Sequence, residues 1–108
     1  MVKIVFSEEA REIYSFLVES ELKKDKSLIN SLRNKLECIK ENPHYGNPIR
    51  KNLIPSYYRK KYSANNLFRV ELPQFWRMLY TLTDDKIEII AFILDINDHK
   101  KYDSRFGY

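Results

Sequence analysis

Phe68-Arg69-Val70-Glu71-Leu72-Pro73-Gln74-Phe75-Trp76-Arg77-Met78-Leu79-Tyr80-Thr81-Leu82 is the stretch on which the fold turns. Phe68, Val70 and Leu72 alternate with Arg69 and Glu71, the period of a strand with one buried face. Pro73-Gln74 reads as a turn, and residues 75–82, rich in aromatic and apolar side chains, as a second strand. Thr83-Asp84-Asp85 supplies another turn, and residues 87–96 a third, long strand. Three strands joined by short turns form an antiparallel meander. Its last strand is apolar on both faces over residues 89–94, which suits a central position covered on at least one side.

Working back toward the start, residues 3–6 form a short β-type run, and Ser7-Glu8-Glu9 is a helix start: the hydroxyl can accept a free N–H and the acids suit the positive helix end. Ala10, Ile13, Tyr14, Leu17 and Val18 recur at helical spacing, giving an amphipathic helix over residues 8–22. Residues 23–26 read as a polar break, after which Leu28, Ile29, Leu32, Leu36 and Ile39 form a second helical stripe that Asn42-Pro43 ends. Helices so closely linked pack as an antiparallel hairpin. Residues 43–66 hold three of the four prolines and read as an extended or looping connection. The predicted order is β-α-α-β-β-β with a polar tail over residues 97–108. This is an α+β fold with a helical hairpin on one face of the sheet, in which the first strand must also pair. A chain of 108 residues is one domain, 1–108, because two separate cores would be too small to exclude enough water.

The composition, 44% apolar and 14% aromatic with two glycines, is that of a packed globular domain. The single Cys38 cannot form an internal disulfide, which favours a reducing, cytoplasmic setting. Acids at Glu8 and Glu9 arrive before any apolar stretch long enough for a signal peptide, and no run is long enough to span or anchor in a membrane. Net charge is +4. Residues 42–70 contain no acid yet carry Arg50, Lys51, Arg59, Lys60, Lys61 and Arg69. Six positive charges there against +4 overall leave −2 for the rest, so a nearly balanced body carries one basic segment.

Cys38, His44 and His99 lack metal-ligand spacing, Asp95, Asp98 and Asp103 follow no calcium-loop pattern, and two glycines cannot build a phosphate loop. Cys38, beside an apolar helical stripe, reads as a small buried hydrophobe. What remains is cations, aromatics and a histidine. The basic residues interleave with Tyr57, Tyr58 and Tyr62, a combination that binds phosphates and offers rings to bases; the alternative is a solvated basic loop whose tyrosines fold onto the core. Strand alternation turns Arg69 away from Phe68 and Val70, and Arg77 away from Trp76, Met78 and Tyr80. On an open sheet face the two arginines would form a rigid anion platform; alternatively they pair with Glu71 and Glu88. His99, Lys100, Lys101 and Tyr102 follow the long strand and should lie near that face, where His99 could exchange protons beside a phosphate. The alternative is an idle histidine in a polar tail, with Phe106 and Tyr108 simply pinning the terminus.

In element order and in the strings NLFRVELPQFWRMLYTL and IIAFILDINDHKKYDSRFGY, the chain resembles the RelE/ParE superfamily of toxins from type II toxin–antitoxin systems. Trp76-Arg77-Met78-Leu79-Tyr80 matches the family's Tyr/Trp-Arg-x-x-Tyr pattern, and His99-Lys100-Lys101-Tyr102 its closing basic cluster before a tyrosine. The resemblance implies a RelE-like microbial RNase fold and a ribosome-dependent endoribonuclease that cuts mRNA in the ribosomal A site without a metal or other cofactor. ParE-like members instead poison DNA gyrase and lack the catalytic set, and a non-toxic RNA-binding or interaction member is a third possibility. It further implies phosphate stabilisation by Arg77 with Arg69, base or acid action by His99 with Lys101 as a competing candidate, and support from Tyr102. Arg50, Lys51, Arg59, Lys60, Lys61 and Lys100 would grip RNA, and a small acidic antitoxin would be the protein partner. Glu71 departs from the pattern, since some RelE-type toxins place a second cation there.

Overall fold

In the computed structural model, which describes residues 2–84 and 88–108, the chain runs β1 (Val2–Phe6), α1 (Glu8–Glu19), α2 (Lys23–Glu41), β2 (Asn47–Pro48), α3 (Ser56–Tyr62), β3 (Phe68–Glu71), β4 (Arg77–Asp84), β5 (Ile89–Asn97) and α4 (His99–Phe106). Single 3₁₀ turns occupy Lys51–Leu53 and Pro73–Phe75. One five-stranded sheet has the order β1-β5-β4-β3-β2, with β1 parallel to β5 and the meander antiparallel. The α+β class and the meander stand as the sequence predicts. Asp85 and Ile87, assigned to the second turn and the start of the third strand, lie outside the described residues.

Ser7 caps α1: its Oγ accepts from the Ala10 N–H at 3.0 Å and donates to the Leu94 carbonyl at 2.8 Å, tying the helix start to the sheet. The helix ends at Glu19 rather than at residue 22, and α2 begins at Lys23, inside the expected polar break. Asp25 accounts for this, since its carboxylate accepts from Ser20 Oγ at 2.6 Å and lies in the first turn of α2, where the helix dipole favours an anion. Leu28, Leu32 and Ile39 of α2, with Ala10 and Leu17 of α1, bury against Val70, Met78, Tyr80, Ile93 and Ile96. Each buried Leu, Ile, Val or Met among them contributes about 1.5–3 kcal/mol of hydrophobic stabilisation. Cys38 is only half-buried, not the fully buried hydrophobe expected.

The opposite sheet face is not open. Tyr58, Leu67, Leu79, Leu94 and Tyr102 form a second core beneath α3 and α4, so the sheet lies between two helical layers. Both helices replace stretches expected to be irregular. Pro55 precedes α3 and Ser63, with φ 55°, closes it, while Tyr58 reaches the sheet. Asp98 caps α4 by accepting from the Lys101 N–H at 2.8 Å, and Gly107, with φ 78°, ends it in the left-handed conformation that glycine adopts at low cost. The tyrosines of the basic segment therefore fold onto the core, and Tyr58 is wholly unavailable for stacking.

At Gly46 a Cβ would lie 2.9 Å from Tyr80 Cε1 and 3.1 Å from Phe68 Cβ. The bare backbone lets the Gly46 N–H donate to the Tyr80 hydroxyl at 2.9 Å, and that hydroxyl donates to the Pro43 carbonyl at 2.8 Å. The motif tyrosine thus anchors the segment leaving α2.

Glu9 joins the two layers: the Tyr57 hydroxyl donates to it at 2.6 Å, Lys61 forms an ion pair with it, and Arg105 Nη2 lies 3.7 Å away. Hydrogen bonds from Lys61 and then Tyr57 hold its carboxyl below the ordinary value of 4.5. A lowered native pKa adds stability above the unfolded value and loses it as pH falls through the native one. Glu9→Gln should cost about 1 kcal/mol at neutral pH, and its urea midpoint should converge with that of the wild type as pH falls below 4.5.

Candidate active site

Strand register brings the first functional groups together. Glu71 on β3 lies directly across from Arg77 on β4, which in turn pairs with Asn97 on β5. Two residues after Asn97, α4 begins with His99. His99 Nδ1 lies 3.3 Å from Arg77 Nη1, and Nε2 lies 3.2 Å from the Asp103 carboxylate one helical turn on. With Asp103 accepting at Nε2 and Arg77 donating toward Nδ1, the neutral ring carries its proton on Nε2 and turns a lone pair toward the guanidinium.

Tyr102, also one turn along from Asp98, is buried and supports both arginines. Its hydroxyl accepts from Arg69 Nη1 at 3.1 Å, while the Arg77 guanidinium sits 4.7 Å above its ring. Glu71 completes the group, 2.9 Å from Arg69 Nε and 3.5 Å from Arg77 Nε. Both Nε–H groups nonetheless lack an aligned acceptor, so the ion pairs leave hydrogen-bonding capacity unused. Arg77 Nη1 also donates to the Phe75 carbonyl at 2.5 Å, fixing the guanidinium to the preceding turn. The result is two cations, a carboxylate and an imidazole around one half-exposed spot, beneath a second layer of helices rather than on a bare sheet.

Of the sequence candidates, Arg69, Arg77, His99 and Tyr102 are thus brought together. Lys101 turns elsewhere: its Nζ lies 3.3 Å from Asp95, whose side chain is fully buried. Asp95 also accepts from the Tyr58 hydroxyl at 3.0 Å and has Arg105 Nε at 3.4 Å. Asn97, with its amide oriented by this network, donates to the same carboxylate at 2.8 and 3.1 Å. Burial, followed by the charge of Asp95, pushes the Tyr58 hydroxyl's pKa well up, so it remains a donor. A β-bulge between the Leu79 and Tyr80 pairings breaks alternation in β5 and turns both Leu94 and Asp95 toward α3 and α4.

The basic-segment residues are dispersed. Lys61 is committed to Glu9, Arg59 donates to the Lys51 carbonyl at 2.5 Å, and Arg50, Lys51, Lys60 and, on α4, Lys100 are exposed. Asp95, Asp103 and Phe75 are the site neighbours that sequence reasoning missed; for Asp103 the four-residue spacing from His99 was available as a signal once a helix was recognised. Among the described residues, no group of three or more His, Cys, Asp or Glu side chains is placed to hold a metal ion, and no helix is long and apolar enough to cross a membrane.

No protein-family model matches the chain, and no curated protein matches its sequence. Its structure is similar to that of a YoeB/ParE toxin from Agrobacterium tumefaciens, with a TM-score of 0.63 and 11% identity over 90% of this chain and 98% of that one. It is also similar to the YoeB dimer from Staphylococcus aureus, with a TM-score of 0.54 and 21% identity over 84% of this chain and 91% of the other. The shared feature is the fold, an α+β arrangement also found in YoeB/ParE toxins.

Asp95→Asn removes the charge that holds Lys101 and Arg105 against the sheet. It should lower unfolding free energy by about 2–3 kcal/mol, measured in urea. Amide exchange should rise first in α4, because that helix loses both of its basic tethers.

Proposed function

We propose that this protein is the toxin of a toxin–antitoxin pair and acts as an endoribonuclease that cleaves mRNA on the ribosome without a metal cofactor. The observation that supports this most directly is the meeting of Arg69, Glu71, Arg77, His99 and Tyr102 at one spot, with cations for a phosphate and two groups able to move protons. The likeness to YoeB/ParE toxin structures adds a fold shared with toxins. A small acidic antitoxin, mRNA and the ribosome are the proposed partners, and the cytoplasm the proposed location.

RNA cleavage by its own 2′-OH requires three things: removal of the hydroxyl proton, neutralisation of charge on the phosphorane oxygens, and a proton for the departing 5′ oxygen. Arg77, with Arg69 beside it, binds the non-bridging oxygens as they gain charge. Glu71, released from the arginines as phosphate takes its place, accepts the 2′ proton. His99 in its protonated form, steadied by Asp103, donates to the 5′ oxygen. The bond from the 2′ oxygen to phosphorus forms as that to the 5′ oxygen breaks, giving a 2′,3′-cyclic phosphate and a 5′-hydroxyl. Tyr102 positions both guanidinium groups. Lys101, facing Asp95, holds α4 in place and acts on the reaction through His99.

In a translating extract, the wild type should cut message in the presence of chelator, and Arg77→Ala should reduce the rate at least ~100-fold. Glu71→Gln and His99→Gln should each slow cleavage at least ~100-fold, the order expected for a lost proton-transfer group, while Lys101→Ala should slow it far less. Growth arrest with intact message would replace this reading with a non-enzymatic, gyrase-directed toxin. Normal growth with folded protein would favour a non-toxic binding module.

A further inference from the structure

The turn between β3 and β4 holds a costly arrangement that the chemistry above does not use. Gln74 and Phe75 both have positive φ, 62° and 64°, although neither is glycine. For a bulky side chain such as phenylalanine this conformation is a steric outlier. The expense gains little burial, because Phe75 is 72% exposed. The turn is nevertheless fixed at both ends: Gln74 Nε2 donates to the Lys24 carbonyl at 2.8 Å, and the Phe75 carbonyl accepts from Arg77 Nη1 at 2.5 Å. The phenyl ring is consequently presented to solvent with its centroid 5.9 Å from that of His99, inclined to it by 59°.

We infer that Phe75 is the stacking platform for a nucleobase of the RNA, at the nucleotide adjoining the scissile phosphate. This rests on the endoribonuclease reading above. Arg77 connects the two parts of the argument, since the same Nη1 contacts His99 and the carbonyl of Phe75. A phosphate seated on Arg77 lies beside the turn that presents Phe75, so its neighbouring base comes within reach of that exposed ring. Single-stranded nucleic acid is commonly held in this way, with cations on the backbone and an aromatic face beneath a base. A rigid ring on an anchored turn loses little conformational freedom when it takes up that base. Because purines offer a larger face than pyrimidines, the platform favours a purine at that nucleotide.

The experiment maps cut sites and rates in a translating extract for the wild type and for Phe75→Ala, Phe75→Gly and Phe75→Trp. Phe75→Ala and Phe75→Gly should cut about 10-fold more slowly, the order expected for one lost base–aromatic stack, and with a flattened purine preference. Phe75→Trp should retain both rate and preference. Glycine relieves the positive φ, so Phe75→Gly should melt no lower than the wild type, which separates a lost contact from a lost fold. Equal rates and site distributions in the wild type and Phe75→Ala would overturn the stacking role and leave the endoribonuclease standing. A slower rate with an unchanged nucleotide distribution would also overturn it, placing the ring on protein or ribosome instead. If the wild type leaves message intact, the endoribonuclease reading itself fails and this inference goes with it.

Discussion

A single carboxylate, that of Asp95, is buried between the sheet and the second helical layer, and the placement of everything on that side follows from keeping it satisfied. An ionised group withdrawn from water is costly unless it is surrounded by donors and opposite charge. Tyr58 approaches from α3, Lys101 and Arg105 from α4, and Asn97 from its own strand. These contacts fix the start of α4 relative to β5, and with it His99 and Tyr102, which are on the same helix. The bulge in β5 is the prior condition, because strict alternation would turn Asp95 to the face opposite Leu94.

The same layer reorganises the charge of the chain. The acid-free segment is a conspicuous feature of the sequence, yet as folded it is not one patch. Lys61 is drawn to Glu9 across the layers, Arg59 binds a carbonyl of its own segment, and only Arg69 reaches the site. Its other exposed cations form a diffuse positive surface suited to long-range attraction of a polyanion; on the proposed function, orientation at the reacting bond falls to the two strand arginines.

Much of this was legible in the residues themselves. The alternation around Phe68 and Val70 places Arg69 on the correct face, and the same logic sends Arg77 opposite Met78 and Tyr80. The helical stripes locate the hairpin, with errors confined to its ends. The two missed helices have different causes. In α4 the signals were present, Asp98 as a cap and Gly107 as a stop, but its polar composition obscured a helix that buries chiefly Tyr102. In α3 three prolines nearby suggest an irregular path, and only contact with the sheet makes a seven-residue helix favourable. The covered face was illegible for a related reason: Leu79 and Leu94 reveal that something must cover them, not what does. Glu71 departs from the resembled pattern, but the charge match that the sequence offered as the alternative is the one that forms there, with both strand arginines within ion-pair distance of it.

On the proposed function, Glu71 lies where an incoming phosphate oxygen would seek the arginines, so the resting site carries a tethered stand-in for its own ligand. This makes the protein discriminating toward small anions. A free phosphate must compete against a carboxylate whose local concentration is set by attachment to the same strand, and it brings no second contact to compensate. A polynucleotide brings many, and the internal competitor is displaced only when neighbouring nucleotides are engaged as well. The carboxylate therefore acts as a threshold on ligand length, ensuring that the cationic pair becomes available to a strand of RNA and stays closed to the abundant monomeric phosphates around it.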